Sequence, residues 1–104
     1  MKKNNSPLIS IITPSYNSEK FISETIVSIQ KQTYENWNLI IIDDSSKDNS
    51  VNIIKSHVLN DDRIQLIQSP SNRGAAFSRN VGLSESKSDY IAFLDSDDLW
   101  EKDK

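Results

Sequence analysis

Asn38-Leu39-Ile40-Ile41-Ile42 runs directly into Asp43-Asp44-Ser45-Ser46. The apolar part is short, largely β-branched and without alternating polar positions. That pattern predicts a strand buried on both faces. Strands covered on both sides belong to parallel sheets, whose crossover connections lay helices on each face. The acids that follow close the strand and mark a turn.

Working outward, Leu8-Ile9-Ser10-Ile11-Ile12 predicts an earlier strand of the same kind, ended by Thr13-Pro14-Ser15-Tyr16-Asn17 because Pro14 cannot donate to a ladder. Between the two strands, residues 19–32 predict a helix. Phe21, Ile22, Thr25, Ile26 and Ile29 form its buried stripe, with Asn17 or Ser18 as N-cap and Glu19 facing the helix dipole. A second helix is predicted over 48–59, with Val51, Ile54 and Val58 inward and Ser46 or Asp48 as cap. A weaker, more polar strand over 64–67 belongs nearer an edge. After the loop Ser69-Pro70-Ser71-Asn72, a third helix is predicted over 73–84, with Ala75, Ala76, Phe77 and Val81 available to pack. Gly82 inside it implies close approach to a neighbour, since glycine otherwise costs about 1 kcal/mol against alanine. Residues 90–94 predict a fourth strand. Residues 1–6 are polar and expected to fray.

The expected fold is therefore α/β, β-α-β-α-β-α-β, with a mostly parallel sheet, right-handed crossovers and helices on both faces. With 104 residues, a single unit is expected. There is no cysteine, so no disulfide framework and no thiolate metal site. The net charge of −3 argues against a nucleic-acid partner. The apolar run after the basic start is too short for a signal-peptide core or a membrane span, and a cytoplasmic setting is expected. Asn4-Asn5-Ser6 matches a glycosylation sequon that, without an export signal, is read as chance. Only two glycines argue against a glycine-rich phosphate loop, and the turn after the first strand lacks G-x-G-x-x-G. An EF-hand over 44–55 fails, because Asn49 stands where Gly is needed and Lys55 where Glu is needed.

The functional signal lies at strand ends. Tyr90-Ile91-Ala92-Phe93-Leu94 is an apolar strand, expected to be held in a core, that leads into Asp95-Ser96-Asp97-Asp98. In extended geometry Asp95 and Asp97 share a face, and a hard divalent cation already bound to phosphates would relieve their repulsion. A solvated turn or a helix cap is the plainer reading of the same residues. Ligands of parallel α/β sheets bind beyond the carboxyl ends of the strands. Here Pro14 to Asn17, Asp43 to Ser46 and Asp95 to Asp98 would all lie on that rim. Asp43-Asp44 reads either as turn and cap or as an acceptor for a base N–H or ribose hydroxyl. Arg73 reads as a solvated arginine or as a phosphate contact beside a helix N-terminus. Tyr16 reads as a stacking platform or loop padding, Trp37 and Trp100 as packing residues, and His57 as a surface or half-buried histidine.

With these residues in place, the chain resembles the N-terminal, nucleotide-binding half of the family 2 glycosyltransferases, inverting enzymes of the GT-A (Rossmann-like) fold. The resemblance is carried by Ile11-Ile-Thr-Pro-Ser-Tyr-Asn17, Ile40-Ile-Ile-Asp-Asp-Ser-Ser46, Asn72-Arg-Gly-Ala-Ala-Phe-Ser-Arg-Asn80 and Asp89-Tyr-Ile-Ala-Phe-Leu-Asp-Ser-Asp-Asp98, in the family's order and spacing. It implies strand order 3-2-1-4 and a nucleotide-sugar donor, most often UDP-linked. Pro14 and Tyr16 would cup the base, Asp44 would read it, and Glu19 would lie near the donor loop. Arg73 would approach base or diphosphate. Asp95-Ser96-Asp97 resembles the D-x-D motif, with Asp95 toward the ribose and Asp97 toward Mn²⁺ or Mg²⁺. The family's catalytic base matches no residue here. It is expected beyond Lys104, in a second half that would also bind a glycan, lipid or protein acceptor. Without that half the fragment is expected to be inactive, with exposed apolar surface favouring self-association. The resemblance also implies a place in polysaccharide or cell-surface glycan synthesis, in the cytoplasm or at the inner face of the membrane. The alternatives are a non-catalytic nucleotide- or metal-binding module and a phosphotransferase of the haloacid dehalogenase type, whose D-x-D belongs on the first strand, where Pro14 stands here. A response-regulator receiver would need an acidic pair after the first strand and a lysine late in the chain after another strand, and neither is present.

Overall fold

In the computed structural model, which describes residues 7–97, β1 (Ile9–Ser15) and β2 (Trp37–Asp43) pair in parallel along their whole lengths. β3 (Ile64–Gln68) flanks β2 and β4 (Tyr90–Phe93) flanks β1, giving the expected order β3-β2-β1-β4 with every pairing parallel. Helices α1 (Ile22–Gln30), α2 (Ser50–Asn60) and α3 (Ala75–Glu85) are the crossovers. Residues 1–6 and 98–104, which include the sequon, all the residues expected to fray and Trp100, lie outside the described residues.

The two-residue side-chain period divides the core between the two faces of the sheet. Ile11, Leu39 and Ile41 face α1 and α2, where they pack with Ile22, Ile26, Ile29 and Ile54. Ile12, Ile40 and Ile42 face the other way, toward Val81 of α3. Helices therefore cover both faces, as expected. Trp37 is buried in the larger cluster, and Arg63 stacks over its ring at 3.8 Å. His57 is half-buried and meets the Ser23 hydroxyl at 2.9 Å, and burial lowers its pKa.

Several expectations are corrected. Pro14 does not end the first strand, which runs on to Ser15. The Ile12 carbonyl accepts from Leu94 N–H, so Pro14, two residues on, aims its nitrogen to the same side, past the last bond with β4. No ladder bond is lost there. Helix α1 starts at Ile22 with Phe21 as N-cap, not Asn17 or Ser18. Asn17 sits at φ 48° in a loop, and the Ser18 carbonyl closes a turn onto Phe21 and Ile22 N–H. Phe21, expected inside the apolar stripe, is 49% exposed. Helix α2 begins at Ser50 with Asn49 as N-cap, not Ser46 or Asp48, and Asp48 accepts the Ser50 N–H at 2.9 Å from the turn before it.

Helix α3 also contacts the sheet differently. Its buried residues are Ser78 and Gly82, with Val81 beside them, whereas Ala75, Ala76 and Phe77 are exposed. A Cβ built on Gly82 would stand 2.5 Å from Ile12 Cγ2, so the close approach implied by this glycine is present. β4 is not held inside a core. Tyr90, Ile91 and Phe93 are exposed at what is the sheet edge among the described residues, and only Ala92 and Leu94 pack inward.

Candidate functional site

The carboxyl ends of β1, β2 and β4 open onto one cleft of about 450 Å³. Pro14, Ser15, Tyr16 and Phe21 supply one wall, and Asp44 stands at the end of β2. The Ala75, Ser78 and Arg79 face of α3, spaced i, i+3, i+4, supplies the opposite wall. Asp95, Ser96 and Asp97 close the third side. Of the residues singled out in the sequence, Pro14, Tyr16, Asp44, Asp95, Ser96 and Asp97 are thus brought together.

Asp44 is buried and anchors the start of α3. Its Oδ1 accepts the Arg73 N–H at 2.8 Å and its Oδ2 accepts the Gly74 N–H at 2.7 Å. A carboxylate has about four acceptor positions, so two donors leave capacity toward the cleft. The negative charge also suits a helix N-terminus. Gly74, at φ 94°, makes the bend that lets both amides reach Asp44. Asp43, the other member of the pair, is turned to structural use: it accepts the Ser46 N–H at 2.9 Å and the Ser46 hydroxyl at 2.6 Å.

Glu19 and Arg73 stand apart from the lining. Glu19 Oε1 accepts the Asn49 N–H at 2.9 Å, and its own N–H reaches Asp48 Oδ2 at 3.2 Å. Partial burial opposes the Asp48 charge, but bonds from the Ser50 hydroxyl and from the Ser50 and Glu19 amides leave its pKa below the usual carboxylate value. The Arg73 guanidinium lies 5.0 Å from the Phe77 ring.

Two features of the site were not singled out from sequence. Serine hydroxyls pin the loop after β1 to the loop after β2: Asn17 N–H donates to Ser46 Oγ and Ser18 N–H to Ser50 Oγ, both at 2.8 Å. Each hydroxyl in turn donates a hydrogen bond to an acid, Ser46 to Asp43 and Ser50 to Asp48. The second feature is Arg79, whose Nη2 is 3.3 Å from Asp95 Oδ1. It places a cation in a cleft otherwise rich in acids. Its helical spacing from Ala75 and Ser78 was the available signal.

The turn at residues 96–97 interrupts the extended geometry that would have aligned Asp95 with Asp97, yet both line the cleft. The Asp97 carboxylate is exposed and, among the described residues, has no hydrogen-bond or ion-pair partner. No cluster of three His, Cys, Asp or Glu able to hold an ion by itself occurs among the described residues. A hard divalent ion that arrives with phosphate oxygens needs only one or two carboxylates. Asp97, with Asp95 beside it, fits that mode. Asp98 and Glu101 lie outside the described residues.

The sequence model described as glycosyl transferase family 2 matches residues 10–104. An uncharacterized glycosyltransferase of Haemophilus influenzae is 48% identical over 96% of this chain and 40% of its own length. UDP-Glc:alpha-D-GlcNAc-diphosphoundecaprenol beta-1,3-glucosyltransferase WfgD of Escherichia coli is 48% identical over 89% of this chain and 36% of its own length. Among solved structures, S. aureus TarS 1-349 in complex with UDP-GlcNAc superposes with a TM-score of 0.84 at 31% identity, covering 89% of this chain and 27% of TarS 1-349. The chain thus spans well under half the length of each of these proteins. Among the described residues, no helix is long and apolar enough to cross a membrane.

Proposed function

Because the chain belongs to glycosyl transferase family 2, we propose that it forms the donor-binding part of an inverting, metal-assisted glycosyltransferase that takes a UDP-sugar. The observation that carries this reading is the meeting of Asp44, Arg79, Asp95 and Asp97 in one cleft at the strand ends. Base recognition falls to Pro14, Tyr16 and Asp44. Tyr16 is 45% exposed beside Pro14 and offers a face for stacking, and Asp44 retains acceptor capacity for a base N–H. Asp95 reaches the ribose hydroxyls, with Ser96 beside it. Glu19 acts from behind the donor loop, by holding it to the 48–49 segment. Arg73 acts from the rim at the start of α3.

The reaction joins an acceptor oxygen to the anomeric carbon as the bond to the diphosphate breaks. Negative charge develops on the departing diphosphate, and Arg79 is placed to offset it. Mn²⁺ or Mg²⁺ held by Asp97 would supply Lewis-acid stabilisation of the same charge. None of the described acids is assigned as the base that takes the acceptor's proton. The proposed setting is glycan synthesis at the cytoplasmic face of a membrane; the lipid-linked acceptor in the name of WfgD supports the membrane part of that reading.

The test is calorimetric titration of the full-length protein with UDP, in Mn²⁺ and in EDTA. Wild type should bind only with the metal. Asp97→Asn should weaken that binding at least about tenfold, as loss of a metal ligand does, and Arg79→Gln should weaken it as well. Binding indifferent to metal and to Asp97 would refute the assignment.

A further inference from the structure

We propose that Thr25, a buried residue of α1, is the positioning residue for the 95–97 acid turn. The inference rests on the donor-site reading above for its functional consequence, but the geometry stands apart from it. Thr25 is 1% exposed, and its Oγ1 lies 2.7 Å from the Ser96 carbonyl, 71 residues away in sequence. The alternative acceptor, the Phe21 carbonyl, is farther at 3.2 Å and already takes the Thr25 N–H at 3.0 Å. The hydroxyl proton therefore belongs to Ser96.

That bond acts where the sheet stops holding the chain. Leu94 N–H to the Ile12 carbonyl, at 3.1 Å, is the last backbone tie of this segment to β1. Beyond it, among the described residues, the hydrogen bond to the 95–97 backbone is the one from Thr25. The peptide unit is planar, so fixing the Ser96 carbonyl fixes the plane from which the Asp97 Cα departs. It thereby sets the direction of the Asp97 carboxylate, which has no partner among the described residues. Arg79 holds Asp95 from the α3 side at 3.3 Å, and Thr25 holds Ser96 from the α1 side. The turn is gripped from both layers of helix. The donor side of this bond is buried with Thr25, while Ser96 is half-buried. The helical stripe that buries Thr25 accounts for its methyl group but not for its hydroxyl.

The test compares Thr25→Ser, which keeps the hydroxyl, with Thr25→Ala, which loses it, in the full-length protein. Two readouts are taken: Mn²⁺-dependent UDP affinity by calorimetry, and backbone ¹⁵N order parameters without metal. Thr25→Ser should keep wild-type affinity and rigid Ser96 and Asp97 amides. Thr25→Ala should weaken UDP–Mn²⁺ binding about tenfold and lower the order parameters of Ser96 and Asp97 while the rest of β4 stays rigid. Equal behaviour of the two variants in both readouts would overturn the proposal. If Asp97→Asn leaves UDP binding untouched, the donor-site reading has failed. The order parameters then decide the positioning role by themselves, with a Ser–Ala difference sustaining it and no difference overturning it.

Discussion

Gly82→Ala tests how tightly α3 is laid on the sheet. In an exposed helix the change would stabilise by about 1 kcal/mol. Here the added Cβ would meet Ile12 Cγ2 at 2.5 Å, Ile42 Cδ1 at 3.0 Å and Ile12 Cγ1 at 3.2 Å. Carbon atoms rest about 3.5–4.0 Å apart, so the worst contact is short by about 1 Å. Ile12 cannot yield cheaply. Its Cγ2 branches directly from Cβ, and its backbone is paired to β2 on one side and β4 on the other. Overpacking therefore belongs at the upper end of its usual range, about 3 kcal/mol. After subtracting the helix gain, the variant should be about 2 kcal/mol less stable. That lowers the thermal midpoint by about 10 °C for a chain of this size. Urea denaturation with a linear extrapolation measures it directly. In an Ile12→Ala background the same substitution should become neutral or stabilising, because two of its three close contacts have gone and the remaining one, Ile42 Cδ1, is the movable end of a side chain. A Gly82→Ala protein as stable as wild type, or an equal penalty in both backgrounds, would refute the reasoning.

Other expectations follow from single contacts. Asp44→Asn leaves one acceptor where two amides, Arg73 and Gly74, now bond. It should lower stability by about 1–3 kcal/mol, as loss of a buried charged hydrogen bond does, with hydrogen exchange accelerating first at the start of α3. Asp61 is held down to about 2 from 3.8, chiefly by the Arg63 side chain, against partial burial, with further bonds from Gln30 and the Arg63 amide. Its folded pKa is depressed, so its stabilisation is present above pH 4 and lost as pH falls through about 2. Half-exposure of Arg63 reduces the effect to about 1 kcal/mol. The stability difference between wild type and Asp61→Asn should shrink over pH 5 to 2, and a difference constant across that window would contradict the assignment.

The apolar runs determined the architecture from sequence alone. A stretch such as Leu39 to Ile42 can satisfy its backbone and hide both faces in a parallel sheet covered by helices, and that demand left little choice. The same logic placed three strand ends on one rim, because strand direction carries the rim with it, whereas the choice of Asp44 and Asp97 within those acidic clusters came from the family resemblance. Gly82 was also readable, since a glycine inside a helix needs a close neighbour. What failed were local signals overruled by distant partners. Asn17 and Ser18 have capping side chains, but Asn17 Oδ1 accepts the Lys47 N–H and Ser18 Oγ pairs with Ser15 Oγ, so neither caps α1. Phe21 and Phe77 suit a buried stripe, but the first lies beside the cleft and the second beside Arg73. Pro14 reads as a strand breaker until the extent of β4 is known. Thr25 reads as packing, and only folding brings Ser96 to its hydroxyl. Periodicity records which side of an element is apolar. Which polar atom meets which across 30 or 70 residues is settled by the packing of elements, and those meetings are what shape the cleft.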